Sequence, residues 1–284
     1  MADVYFDNAT SLFKGYDIVE EQIECLKDAV AKKVTSQEAA KTLTTYPDKS
    51  STPVELLQRM GALWTLLNDT AVLLPSAQGC IISILFEIKQ LPRVDVPRGE
   101  GEEYMDFDEG FYWKELTGWA NNWADNSNSW GARFLIEKST GEERKKRRQR
   151  WVNACEYTAR LTATNDRALS SYGADLERAT HAISTALESD TGDQWKENLE
   201  AAAVLFIHAG QELYRRCAEG ETEGMLEGKG ELWNGGKGFS LVRWRFWLER
   251  WTALTHEDNL SEENRKVAQS ALNVMRDMDA KETQ

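Results

Sequence analysis

The chain has 284 residues, of which 41% are hydrophobic and 29% are charged, as in an ordinary soluble globular protein. This length can bury one substantial hydrophobic core or two modest ones. The net charge of −13 argues against nucleic acid and anionic membranes as the main partners, because phosphate-rich surfaces attract basic proteins.

The cysteines and the apolar stretches point to a location inside the cell. The four cysteines lie 55 or more residues apart with no CxxC pair, which favours reduced, buried thiols over a metal or redox centre. The N-terminus has no basic segment followed by an apolar one, so we expect no signal peptide. The longest apolar stretches, 71–75 and 80–86, are far shorter than the about 20 residues of a membrane helix. These observations predict a cytoplasmic protein without a membrane span.

The first hundred residues hold all five prolines and several short helical patterns. Three of these patterns begin with a side chain that can cap a helix, followed three residues later by a glutamate. The pairs are Asp17 with Glu20, Thr35 with Glu38, and Thr52 with Glu55. Residues 95–110 then carry seven acidic side chains, three glycines and a proline. That composition predicts an exposed, mobile loop, since so many carboxylates cannot be buried without partners.

Residues 111–284 contain ten of the eleven tryptophans and no proline, which permits long helices packed around an aromatic interior. Apolar residues recur at helical spacing over 111–125, 140–161, 176–187, 195–213, 240–254 and 261–278. No strand alternation or internal repeat is visible. The sequence therefore predicts an all-α fold, a single compact domain of about nine to eleven helices in which residues 1–94 pack against 111–284.

Two segments with basic residues could bind an anion. Six of the seven residues in 144–150 are basic, which is compatible with a nuclear-import signal or a phosphate-binding face. The overall acidity favours a solvated helix face neutralised by Glu142 and Glu143. The glycine-rich loop 224–239 carries Lys229 and Lys237, and such a loop can close over an anionic ligand.

The tryptophans allow two interpretations. A tryptophan stripe at helical spacing is usually hydrophobic core, but aromatic faces can also line a pocket and stabilise a cation. Asn153, Glu156 and Arg160 follow Trp151 at spacings of three and four on the same helix. Polar groups among apolar ones need partners, and they form either a structural network or a site.

The order of these motifs resembles a fungal family, domain of unknown function 3632. The resemblance covers about residues 50–278 and rests on 113–120 with Asp125, 151–161, 186–188, 201–214 with its His-Ala-Gly, and 238–247. One departure is Leu248, where the family pattern leads us to expect a lysine. The family looks related to the atypical humulene synthases of fungal tropolone sesquiterpenoid pathways, which resemble class I terpene cyclases. The resemblance thus implies a Mg²⁺-dependent lyase of secondary metabolism that converts a prenyl diphosphate, with farnesyl diphosphate expected, to a cyclic sesquiterpene.

That implied chemistry assigns roles to particular residues. Mg²⁺ prefers carboxylate or amide oxygens, and the candidate ligands are Asp125, Asn153, Glu156 and Glu188. Basic side chains would bind the departing diphosphate, and the candidates are Lys229, Lys237, Arg160 and Arg243. The expected cavity aromatics are Trp119, Trp123, Trp151, Trp244 and Trp247. The alternative is a non-catalytic helical binding or scaffold protein whose tryptophans are core; either is compatible with a homodimer.

Overall fold

The computed structural model describes residues 2–99, 106–130, 138–170, 176–190, 194–222, 226–228 and 231–282. Over these residues the chain forms twelve α-helices, eleven of them long, and no strand, so the predicted all-α fold is confirmed. The chain divides into two compact units, 1–129 and 130–284. The division follows Ser129 rather than the acidic segment, which lies within the first unit. The packing of the whole chain as one domain stays a prediction.

The first unit contains six helices. They are α1 (Ala2–Leu12), α2 (Glu20–Val30), α3 (Ser36–Asp48), α4 (Pro53–Leu73), α5 (Gln78–Ile88) and α6 (Trp119–Trp130). Two predicted caps are confirmed, because Thr35 Oγ1 accepts a hydrogen bond from Glu38 N at 3.2 Å and Thr52 Oγ1 accepts one from Glu55 N at 3.2 Å. The predicted cap by Asp17 is wrong: Asp17 instead accepts a hydrogen bond from the Tyr46 hydroxyl at 2.7 Å.

The helix predicted from Phe111 begins only at Trp119. The cause is a tertiary contact that turns the preceding residues inward. Asp48 Oδ1 accepts hydrogen bonds from Tyr112 Oη at 2.8 Å and Trp113 Nε1 at 2.9 Å. Leu116 has a positive φ of 50°, which no α-helix contains. Burial raises the pKa of the Asp48 carboxyl, against the lowering effect of these two hydrogen bonds.

The acidic segment is fixed at its C-terminal end, contrary to our expectation of an exposed loop throughout. Phe107 is buried, and Val94 N donates a hydrogen bond to the Gly110 carbonyl at 3.0 Å. Gly110 has a φ of 92° and a Cβ there would lie 2.2 Å from the Val94 carbonyl oxygen, so only glycine fits this contact. Residues 100–105 lie outside the described part of the chain.

The second unit contains the other six helices. They are α7 (Gly141–Thr162), α8 (Arg167–Ser170), α9 (Leu176–Leu187), α10 (Gln194–Glu219), α11 (Leu241–Leu254) and α12 (Glu262–Glu282). Helix α10 is the central helix, because it packs against α7, α9, α11 and α12. It leaves helical geometry at Ala209, where φ is −123° and ψ is 19°. The next residue is Gly210, whose missing Cβ would lie 3.1 Å from Val274 on α12.

The basic run 144–150 lies on a solvated face of α7, as predicted. Lys145 pairs with Glu142 at 2.8 Å, and Arg147 pairs with Glu143 at 2.8 Å, both within α7. Arg148 lies 3.7 Å from Glu200 on α10. The run is therefore largely neutralised by neighbouring carboxylates and offers little net charge to a phosphate.

Length and hydropathy do not allow any single helix among the described residues to cross a membrane. Helix α4 and the following segment 75–88 would pass that test only together, and they meet at a bend of 117°.

Candidate functional site

The residues that the sequence singled out belong to both units and, within the second unit, to two groups. Trp119, Trp123 and Asp125 belong to the first unit. In the second unit one group contains Glu188, Arg243 and Trp247, and another contains Glu156 and Arg160. Lys229 lies outside the described residues.

Glu188 and Arg243 form a buried ion pair that joins the end of α9 to α11. Arg243 Nε donates to Glu188 Oε1 at 2.7 Å, and Nη2 donates to Oε2 at 2.6 Å. Trp247 Nε1 also donates to Glu188 Oε1, at 2.7 Å. The Arg243 side chain is 0% exposed and that of Glu188 is 5% exposed. Both carboxylate oxygens are therefore occupied by protein donors, which leaves Glu188 poorly suited to a cation.

The same arginine holds the glycine-rich loop. Its Nη1 donates to the Gly238 carbonyl at 2.9 Å, and its Nη2 donates to the Glu227 carbonyl at 2.9 Å. Lys237 on this loop points outward: its side chain is 71% exposed and pairs with Glu227 at 2.9 Å. The expectation that Lys237 faces an enclosed ligand is thus not supported by its position. Arg243 thus fixes the loop to α11, and its N–H donors are not available to bind a diphosphate.

The predicted cavity aromatics fill the interior. Phe206 on α10 lies in ring contact with three tryptophans of α11, at centroid distances of 5.9 Å to Trp244, 5.7 Å to Trp247 and 5.9 Å to Trp251. All five predicted aromatics are buried, namely Trp119, Trp123, Trp151, Trp244 and Trp247. Such edge-to-face packing is typical of hydrophobic core. The role of these rings as walls of a substrate cavity stays a prediction.

A polar pocket opens in the second unit at the kink of α10. Its volume is about 460 Å³, within the range of small-molecule sites. Residues of α10 on both sides of the kink, the end of α7 and one residue of α12 line it: Ala163, Asn165, His208, Ala209, Gln211, Glu212, Tyr214, Arg215, Ala218, Glu219 and Met278. Among the residues that the structure describes, no tryptophan contributes to this lining. Kinks that interrupt helix hydrogen bonding often occur at functional positions.

The predicted residues Glu156 and Arg160 adjoin this pocket through His208. Arg160 donates to Glu156 Oε1 from Nε at 2.9 Å and from Nη2 at 2.7 Å. His208 Nε2 lies 3.4 Å from the same oxygen. Burial lowers the pKa of His208, and the neighbouring Arg160 lowers it further, against the opposing effect of Glu156. The imidazole is therefore neutral at pH 7. The family resemblance includes the His-Ala-Gly of His208, but sequence reasoning gave this histidine no role, because it lies 52 positions after Glu156 and nothing in the sequence places the two together.

Carboxylates surround Arg215, whose guanidinium lines the pocket. Arg215 donates to Glu212 at 2.7 and 2.8 Å, to Glu221 at 3.0 Å and to Glu219. Arg216 Nε donates to Glu212 at 2.9 Å. Burial raises the pKa of Glu212, but the hydrogen bonds from both arginines outweigh it and the pKa lies below its ordinary value. Glu212 is thus ionised at neutral pH.

A second pocket of about 500 Å³ lies between α10 and α12. Its floor is apolar, with Ala203, Val204, Ile207 and Val267, and glutamates form part of its rim. It contains none of the residues that the sequence singled out.

In the second unit, the predicted magnesium ligands already have partners within the protein. Among the described residues, no group of three His, Cys, Asp or Glu side chains is arranged to hold a metal ion. Asn153 Oδ1 accepts a hydrogen bond from Gln149 at 3.0 Å, Glu156 binds Arg160, and Glu188 binds Arg243. Asp125 belongs to the first unit. Carboxylates that already pair with arginines are poor ligands for Mg²⁺, and the magnesium role stays a prediction.

Comparison with known proteins identifies a family for the chain. No curated protein and no solved structure is significantly similar to the chain. The sequence profile of one family, described as protein of unknown function (DUF3632), matches residues 64–251. The match includes the tryptophan-rich helices and the α10 kink, and it covers more than half of the chain. The protein therefore belongs to the DUF3632 family.

Proposed function

We propose that the protein is a cytoplasmic, non-catalytic helical binding protein, and that its ligand occupies the pocket at the kink of α10. One observation carries this proposal: the tryptophan interior is filled by packed rings, whereas the polar pocket beside it is open. A cyclase needs the reverse arrangement, with an aromatic cavity that excludes water and basic groups at its mouth.

The positions of the basic residues support the same proposal. A diphosphate site needs arginines or lysines whose donors are available when the leaving group develops charge. Arg243 is buried against Glu188, Arg160 is paired with Glu156, and Lys237 is at the surface beside Glu227. Leu248 also stands where the family resemblance leads us to expect a lysine.

A terpene cyclase acting on farnesyl diphosphate with Mg²⁺ is the second candidate. The observation in its favour is that Glu156 and Arg160, two of the residues indicated by the family resemblance, adjoin the α10 pocket through His208. In that case the pocket would receive the diphosphate end of the substrate. A homodimer is compatible with both candidates.

The binding proposal is tested by closing the pocket. Ala218 is exposed and lines the pocket, so Ala218→Phe should fill it without disturbing the core. Ala253→Phe on α11 is the matched control, because Ala253 is also exposed and does not line the pocket. Saturation-transfer NMR with fragments of mixed charge measures binding. We expect some fragments to bind both the wild type and Ala253→Phe. The affinity of Ala218→Phe for the same fragments should be lower by about tenfold or more.

Circular dichroism and thermal unfolding of both variants establish that they remain folded. Fragments that bind Ala218→Phe as well as the wild type would place binding elsewhere and refute the proposal. The absence of any bound fragment in the wild type would refute it too.

A further inference from the structure

The hydrogen-bonding character of the α10 pocket indicates what it binds. His208 Nε2 faces a carboxylate oxygen of Glu156 at 3.4 Å. A lone pair on Nε2 would repel that oxygen, so the neutral imidazole carries its proton there. His208 Nδ1 is therefore a hydrogen-bond acceptor. The amide side chains of Asn165 and Gln211 in the lining offer both oxygen acceptors and N–H donors, so they can bind a ligand of either kind.

Arg215, the guanidinium in the lining, is largely occupied by carboxylates. Of its five N–H donors, four make hydrogen bonds to Glu212, Glu219 and Glu221. An incoming phosphate or carboxylate would approach these carboxylates and would compete with them for the guanidinium. The charged side chains of the pocket therefore favour a cation over an anion.

The sum of the charges around the pocket agrees with this preference. In the described part of the chain, the carboxylates of Glu212, Glu219 and Glu221 pair with the two guanidiniums of Arg215 and Arg216. Arg160 balances Glu156 next to them. The charged side chains named here therefore sum to one negative charge, on a chain whose net charge is −13.

We propose that the α10 pocket binds a small organic amine in its cationic form, whose N–H groups donate to Glu219 and to His208 Nδ1. This proposal rests on the binding role proposed above and names the ligand class for the same pocket. The volume of about 460 Å³ accommodates a molecule of the size of a short polyamine. An inorganic diphosphate would meet the excess carboxylates and should bind poorly.

Calorimetric titration with spermidine and with inorganic pyrophosphate, at physiological ionic strength, tests the ligand class. We expect spermidine to bind and pyrophosphate not to bind. Glu219→Gln should weaken spermidine binding about tenfold, because it removes one charged acceptor. Glu249→Gln is the matched control: it removes the same charge from an exposed position of α11 outside the pocket and should leave the affinity unchanged.

The pH dependence tests the part played by His208. The charged groups around it are Glu156 and Arg160 on α7 and Glu212 and Arg215 on α10, while α12 contributes the uncharged Met278. Protonation of His208 turns an acceptor into a donor, and its pKa lies below that of an ordinary histidine, so amine affinity should fall only when the pH drops well below the ordinary histidine range. His208→Gln should remove this fall while preserving an acceptor.

The outcomes separate this inference from the binding role. Pyrophosphate binding at least as tight as spermidine binding, no spermidine binding, or equal losses in Glu219→Gln and Glu249→Gln would each overturn the amine assignment. If fragments of other classes still lose affinity in Ala218→Phe, the binding role stands and only the ligand class is wrong.

Discussion

Glu188→Gln lowers the free energy of unfolding by about 3–5 kcal/mol, because it leaves the buried guanidinium of Arg243 without a counter-charge. The glutamine keeps the size of the side chain, so the loss reports charge and hydrogen bonding rather than packing. Urea unfolding followed by circular dichroism measures it. We also expect the glycine-rich loop to become more susceptible to protease, since Arg243 holds its carbonyls.

The control for this variant is Lys237→Gln. It breaks the ion pair between Lys237 and Glu227 in the same loop, where both side chains are more than 70% exposed. Exposed pairs contribute little, so we expect a loss of no more than about 1 kcal/mol. Equal effects of the two substitutions would contradict a structural role for the Glu188–Arg243 pair.

Phe206→Ala costs about 3–5 kcal/mol of unfolding free energy, because it empties the centre of the tryptophan cluster of α11. Val242→Ala on the same helix as the tryptophans is the control: Val242 is 66% exposed, and its loss should stay within about 0.5 kcal/mol. A small cost for Phe206→Ala would mean that the ring borders open space rather than packed core, as the cyclase interpretation requires.

Local chemistry made much of the fold predictable. The caps at Thr35 and Thr52 follow from side chains that reach a backbone N–H three residues away, and both form. The spacing of four between Glu156 and Arg160 likewise predicted that they would lie close together, and they pair.

Contacts between distant segments could not be predicted in this way. Asp48 accepts a hydrogen bond from Trp113, which lies 65 positions later in the sequence, and α6 begins only after this contact. Glu188 and Arg243 are 55 positions apart in the sequence. We therefore predicted a metal ligand and a diphosphate-binding residue, and nothing in the sequence indicated that the two side chains pair with each other. His208 likewise meets Glu156 through the packing of α10 against α7, in a pocket beside the kink at Ala209 that no local sequence pattern indicates.

Incubation of the purified protein with farnesyl diphosphate and Mg²⁺ tests the central claim most directly. Volatile products are extracted and analysed by gas chromatography with mass spectrometry, with heat-inactivated protein as the control. A filled tryptophan interior and basic side chains that are already paired predict no cyclic hydrocarbon above that control. A cyclic sesquiterpene formed by the wild type and lost in Arg160→Gln would contradict the binding role and establish the cyclase.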